Sequence, residues 1–237
     1  MSHSFRAVDQ KTLLVVGCDT GVGKTVTTSA LAAYWQKYRG YESLGLMKLM
    51  QTGLGDDELY QQLFSHLTHW DVVTPLKFTA PLAPPLAADQ EGKTIDLGVV
   101  WQTLQAMQQN HDHVLVEALG SLGSPVTHEL TVADIAALWR LETILVVPVQ
   151  LGSMGQAIAQ VALARQTKVK LKGLVLSCAS PEAEAKVEDW ATPAMLASFT
   201  HLPVLGIVPY LSDSERESLP HLAEVTAGFD LEKLAYF

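Results

Sequence analysis

The chain has 237 residues, with 16 Lys+Arg against 25 Asp+Glu and a formal net charge of -9. An acidic chain with no Lys/Arg-rich run has little with which to neutralise phosphates along a nucleic acid, so nucleic-acid binding is excluded as its business. Hydrophobic residues at 48% against 17% charged exclude disorder, and the length suits one large α/β domain over residues 1–237 with the first ~11 peripheral.

The opening stretch MSHSFRAVDQ has no apolar run of the signal-peptide kind, and the longest apolar runs are strand-sized, too short for a bilayer. Two cysteines, Cys18 and Cys178, cannot make a disulfide framework, which points to a reducing, cytoplasmic setting. The histidines show no Cys/His grouping at zinc spacing.

Residues 13–16 read as a buried strand, followed by a glycine-containing turn and a helix over 25–37, where Val26, Leu31, Ala32 and Trp35 recur at helical spacing until Gly40. A second strand covers 43–48, and a helix with leading acids covers 56–66. Pro75, Pro81, Pro84 and Pro85 predict a long surface loop over 71–93. A helix over 95–110 and a strand over 113–116 follow, the strand running into the turn EALGSLGSP. Strands over 143–149, 171–177 and 204–208 alternate with helices over 155–166 and 190–200, and the acidic segment 213–237 reads as a solvated cover. Continuous apolar strands alternating with helices imply a mostly parallel sheet covered on both faces, whose ligands sit at the carboxyl ends of the strands.

The first strand ends in Gly17-Cys18-Asp19-Thr20-Gly21-Val22-Gly23-Lys24-Thr25, which satisfies G-x-x-x-x-G-K-S/T between a strand and a helix. Glycines let backbone N–H groups converge on phosphate oxygens, and the helix N-terminus adds its positive end. Lys24 reaches the β/γ-phosphates and the Thr25 hydroxyl ligates Mg²⁺. The alternative is an ordinary glycine-rich turn. Glu117 closes the apolar run HVLVE, either facing a metal ion or as a solvated strand end. Lys48 closes SLGLMK beside the first strand, either pointing into the phosphate site or snorkelling to solvent.

The P-loop in its G-x-D-T-x-V-G-K-T form, with K-x-x-x-S/T-G at 48–53, resembles the dethiobiotin synthetase family. Supporting elements are D-x-L at 57–59, F-x-x-P-x-A/S-P at 78–84, A-x-x-E/Q-G at 88–92, V-L-V-E at 114–117, A-D at 133–134, L-G at 151–152 and G-x-x-P-x-L at 206–211. The resemblance implies a P-loop NTPase fold and an ATP- and Mg²⁺-dependent ligase in biotin biosynthesis. In that reaction 7,8-diaminononanoate holds CO₂ as a carbamate, ATP converts it to a carbamic-phosphoric anhydride, and the second amine closes the ureido ring.

The resemblance also implies site residues. Lys24 and Lys48 are catalytic, Lys24 over the phosphates and Lys48 on the carbamate side. Thr25, Asp57 and Glu117 hold Mg²⁺. Gly21, Val22, Gly23, Val26, Ala118, Leu119, Gly120, Ser177, Cys178, Pro209, Tyr210 and Leu211 complete the nucleotide site. Thr52 bonds the substrate, whose carboxylate meets Gly152, Ser153 and Met154 across a homodimer interface; as plain sequence, Ser153 reads equally as a helix N-cap. The chain departs from the family where Ala118 and Leu119 replace glycines and where Ser177 replaces a base-reading Asn, which implies looser base selectivity. The rival reading is a P-loop ATPase of the partition type, a nucleotide-switched binding protein, but Cys18 stands where such ATPases carry a signature lysine.

Overall fold

The structure is a computed structural model that describes residues 12–40 and 42–234; the expectation that the first ~11 residues are peripheral lies outside the described residues. β1 (Thr12–Gly17) is buried along its whole length, because β6 (His113–Ser121) and β7 (Glu142–Pro148) pair with it on either side and helices cover both faces. Its side chains alternate between two cores. Leu14 and Val16 join one, Leu13 and Val15 the other, which is why the strand is an unbroken apolar run. β2 (Leu44–Lys48), β4 (Trp70–Val73), β8 (Lys170–Ser177) and β9 (Val204–Val208) extend the sheet to the order β4-β2-β6-β1-β7-β8-β9, with every pairing parallel. This is the mostly parallel, helix-covered, single-domain architecture that the strand pattern predicts.

α1 (Lys24–Arg39) and α2 (Asp56–Phe64) lie on the face of Leu13 and Val15, with Leu31, Trp35, Tyr60 and Phe64 in that core. α4 (Leu97–Asn110), α5 (Val132–Leu138) and α6 (Ser153–Thr167) cover the other face through Val100, Leu104, Ile135, Ala157 and Val161. Among the described residues no helix is long and apolar enough to cross a membrane.

Four expectations need correction. The stretch 71–93 is not one long loop. It holds β4, then β5 (Lys77–Phe78) paired with β3 (Gln51–Thr52), then α3 (Pro84–Glu91). Pro84 and Pro85 begin α3 because the first helical turn requires no N–H donor, and Gly92 closes it with φ 61°. The expected helix over 190–200 is split, after α7 (Pro181–Ala185), into α8 (Val187–Trp190) and α9 (Pro193–Thr200), with Pro193 starting the second piece.

The acidic C-terminal segment is no solvated cover. After α10 (Asp213–Arg216), α11 (Leu219–Ala227) packs on α1 and places Leu222 and Ala223 in the core, followed by Leu231 and Leu234. Burying a leucine side chain contributes about 1.5–3 kcal/mol, enough for several together to fix a short terminal helix.

Glu117, lastly, stands inside β6 rather than at its tip. Val15 pairs with Glu117 and Gly17 with Ser121, so 118–120 stand opposite Val16 alone, two extra residues on the β6 side of that register shift. The left-handed conformation there falls on Gly120, φ 50°, and neither Ala118 nor Leu119 has a positive φ, so both carry their side chains without backbone strain.

Candidate functional site

The loop between β1 and α1 turns tightly because its glycines cannot carry side chains. A Cβ on Gly17 would meet the Val22 side chain at 2.5 Å and the Asp19 carbonyl at 2.8 Å. Gly21 and Gly23 have φ 71° and 92°, and a Cβ on Gly23 would lie 2.1 Å from Ser177 Oγ at the end of β8. Left-handed glycines turn the loop back over the start of α1, and free helix N–H groups add positive potential there. Lys24 is buried at the first helical position and donates its ammonium to the Asp19 carbonyl at 2.9 Å, which arches its chain back over the loop.

Three charged side chains, Lys48, Asp56 and Glu117, meet beside it. Lys48 and Glu117 are register partners on β2 and β6, and Lys48 Nζ donates to Glu117 Oε1 at 2.7 Å and to Asp56. The Thr25 hydroxyl donates to Asp56 Oδ1 at 2.7 Å and lies 3.2 Å from Glu117 Oε1. From below, the Tyr60 hydroxyl donates to Glu117 Oε2.

The electrostatics follow from burial and pairing. Burial opposes the Lys48 charge, but Glu117 and Asp56 outweigh it and hold its pKa above the ordinary lysine value. Burial lowers that of Lys24, against the attraction of Glu117 and with Lys48 adding repulsion. Asp56 is held below the ordinary carboxylate range, because Lys48 and the Thr25 hydroxyl overcome its partial burial. Complete burial pushes Glu117 up, with Lys48 acting in the opposite sense.

Lys24, Thr25, Lys48 and Asp56 line a cleft of about 960 Å³ at the carboxyl ends of the strands, while Glu117 lies fully buried directly behind Lys48 and Thr25 and does not itself line it. Of the expected residues, Gly21, Gly23, Lys24, Thr25, Val26, Lys48, Thr52, Leu119, Gly120, Ser177, Cys178, Pro209 and Leu211 line it. Val22 lies in the core behind the loop and Ala118 is buried in β6. Tyr210 faces outward, with its backbone N–H on Glu184.

The expectation for Asp57 is corrected. Asp57 is buried away from the cleft, accepting from Thr74 Oγ1 at 2.5 Å and from Lys77, whereas Asp56 meets Thr25 and Lys48. Gly152, Ser153 and Met154 do not line the cleft. Nor is Ser153 an N-cap. Gly152 takes that place with φ 93°, and buried Ser153 accepts from the Gln150 N–H at 3.2 Å. Sequence reasoning missed Asp56, Tyr60 and the cleft-lining Arg216. The pair Asp56–Asp57 was itself the signal for the first; Arg216 follows the last matching motif, and nothing in the pattern marks it.

Thr25, Asp56 and Glu117 offer oxygen donors only, converging beside the phosphate loop. That is the set Mg²⁺ takes when nucleotide phosphates and water supply the rest, so these residues fit the ion. Among the described residues there is no group of three or more His, Cys, Asp or Glu able to hold a metal by themselves.

A family model described as "AAA domain" matches residues 11–218. The chain is 89% identical over 237 residues, 100% of each, to the ATP-dependent dethiobiotin synthetase of Synechocystis sp.. It is 56% identical over 222 residues to the protein of that name from Gloeothece citriformis, covering 94% of this chain and 97% of the relative. The solved ParA family ATPase from Chlorobium tepidum aligns with a TM-score of 0.61 over 96% of this chain and 99% of its own; at 13% identity that likeness shows the P-loop fold alone.

Proposed function

The chain belongs to the dethiobiotin synthetase family, and from that premise we propose that it closes the ureido ring of dethiobiotin from 7,8-diaminononanoate, CO₂ and ATP. The observation that carries this reading beyond a generic nucleotide site is Lys48. It is a buried lysine across from Lys24 on the same cleft, held by acids that keep it charged. ATP hydrolysis alone leaves such a second cation without a task. Bringing a carbamate to a γ-phosphate gives it one, because two anions must approach each other.

In the reaction a carbamate oxygen attacks the γ-phosphorus and the bond to the β-phosphate oxygen breaks, releasing ADP. The free amine then attacks the carbamoyl carbon and inorganic phosphate departs. Lys24, at the loop, draws the β/γ-phosphates onto the backbone N–H groups. Lys48 neutralises the carbamate and the transferring group between them, and Thr52 orients the diamine from β3. Thr25, Asp56 and Glu117 would hold Mg²⁺, which spreads the phosphate charge. Ser177, whose hydroxyl stands against Gly23 of the loop, offers the base one hydroxyl, and Arg216 lines the same cleft as a cation, which supports loose base selectivity.

Leu151, 84% exposed beside Gly152 and Ser153, supports a homodimer in which that loop reaches the partner's cleft and receives the substrate carboxylate. Both cysteines are free and buried, in keeping with a cytoplasmic setting.

The deciding experiment is a turnover assay with diaminononanoate, bicarbonate and each nucleoside triphosphate in turn, with the molecular mass measured by light scattering. Diamine-dependent phosphate release with ATP supports the ligase. Hydrolysis indifferent to diamine and bicarbonate but stimulated by DNA or lipid would instead establish a switch ATPase.

A further inference from the structure

Tyr60 is fully buried on α2 in the core beneath the site, among Leu63, Phe64 and the underside of the sheet. A phenylalanine would fill the same space. A buried phenol hydroxyl needs a partner, and this one donates to Glu117 Oε2, the carboxylate oxygen turned away from Lys48 and Thr25.

Tyr60 follows Asp56 by four residues, so the two stand one turn apart on the same side of α2. Asp56 reaches Thr25 and Lys48 at the top of the cluster and Tyr60 reaches Glu117 at its base. The helix is itself anchored. The Gln51 side chain accepts from the Asp57 N–H at 2.9 Å and donates to Glu58 at 3.0 Å, while Glu58 accepts from the Gly55 N–H at 2.7 Å. A tyrosine on so constrained a helix is a fixed donor.

We propose that Tyr60 is a positioning residue for Glu117: its hydroxyl fixes the carboxylate so that Oε1 alone faces Thr25 and the metal–nucleotide, and it remains as a donor when Lys48 turns to an incoming anion. Without it, Glu117 is free to rotate and take Lys48 on both oxygens. Departure of Lys48 would then leave a fully buried carboxylate with no donor beneath it, which is unfavourable in a low-dielectric site. Tyr60 touches neither nucleotide nor substrate, and its effect passes through Glu117. The inference rests on the metal–nucleotide reading of this site, not on the identity of the acceptor.

The test is calorimetric titration of the full chain with ATP, once with Mg²⁺ and once with EDTA, in wild type, Y60F, E117Q and the double variant. Expected is a 5- to 20-fold weaker Mg²⁺-dependent affinity in Y60F with metal-free ATP affinity within twofold. In the E117Q background Y60F should add less than twofold, because the group it orients is gone. Wild-type Mg²⁺–ATP affinity in Y60F, or an equal penalty in both backgrounds, would overturn the proposal. Should Y60F prove insoluble, a soluble Y60F/E117Q supports the coupling and an insoluble one overturns it. Wild-type turnover of diaminononanoate is measured alongside, so that failure of the ligase reading registers separately.

Discussion

Lys48 and Glu117 face each other on adjacent parallel strands, register partners whose side chains meet at 2.7 Å with 4% of the lysine and none of the glutamate exposed. Breaking a buried pair from one side leaves an uncompensated charge and costs about 3–5 kcal/mol. K48Q therefore lowers the melting temperature. It also lowers turnover by about 10²–10³, the scale of losing one donor aimed at developing charge. ATP affinity should stay within about threefold, since Lys24 and the loop hold the phosphates, whereas K24A weakens ATP binding by ~30-fold or more. A K48Q enzyme of normal rate would remove Lys48 from the transfer step.

Gly23 is constrained twice, by φ 92° and by Ser177 Oγ at 2.1 Å from where a Cβ would stand. G23A should lose about 1–2 kcal/mol of stability from the backbone alone, with the collision added. It should also lose ATP affinity as the loop shifts. G23A/S177G removes the collision but not the dihedral strain, so melting curves should show partial recovery. Full recovery would mean that the backbone tolerates alanine there.

The parts of this molecule legible in its sequence are those governed by local chemistry. The glycine spacing at 17–25 dictates a turn whoever its neighbours are, and the unbroken apolar runs dictate strands buried on both faces. The prolines of 71–93 misled because proline stops a helix interior and begins a helix equally well, and only the flanking residues decide between them. Asp56 and Asp57 could not be told apart, since successive helical residues point about 100° apart and the rotation of α2 is set by Gln51, Thr74 and Lys77 from other elements. Tyr60 at core spacing reads as packing until Glu117 is seen above it.

Burial disfavours the thiolate of Cys18, with Asp19 adding to the effect, and moves its pKa from 9.0 to about 12. It moves that of Cys178 to about 11. Upward shifts mean less thiolate at any working pH. At pH 8 about one Cys18 in 10⁴ is ionised against about one in ten for an unperturbed thiol, so alkylation of the folded chain should run ~10²–10³ slower than in denaturant and rise about tenfold per pH unit. Mass spectrometry of iodoacetamide-treated protein reads this directly. Equal rates folded and unfolded would show that neither thiol is shielded.

Asp56 and Asp57 are neighbours with opposite duties, and their amides separate them. Asp56 faces the cleft with one oxygen on Thr25 and the other on Lys48. D56N keeps the shape but removes a charge from the proposed Mg²⁺ donors, so the Mg²⁺ concentration for half-maximal turnover should rise about 10-fold or more, within the 10–100-fold range for supporting groups at metal sites. Stability should change little, because Asp56 is partly exposed. Asp57 is buried on Thr74 and Lys77, and its backbone N–H rests on Gln51, so it pins α2 to the segment after β4. D57N lets the amide NH₂ donate to the Thr74 hydroxyl and its oxygen accept from Lys77, but removes the buried charge that faces the Lys77 ammonium, at about 1–3 kcal/mol. The melting temperature should fall while the Mg²⁺ requirement of the remaining folded enzyme stays at the wild-type value. If D57N instead raised the Mg²⁺ requirement and D56N left it alone, the acid holding the metal would be the second of the pair, and α2 would have to turn on nucleotide binding to bring it there.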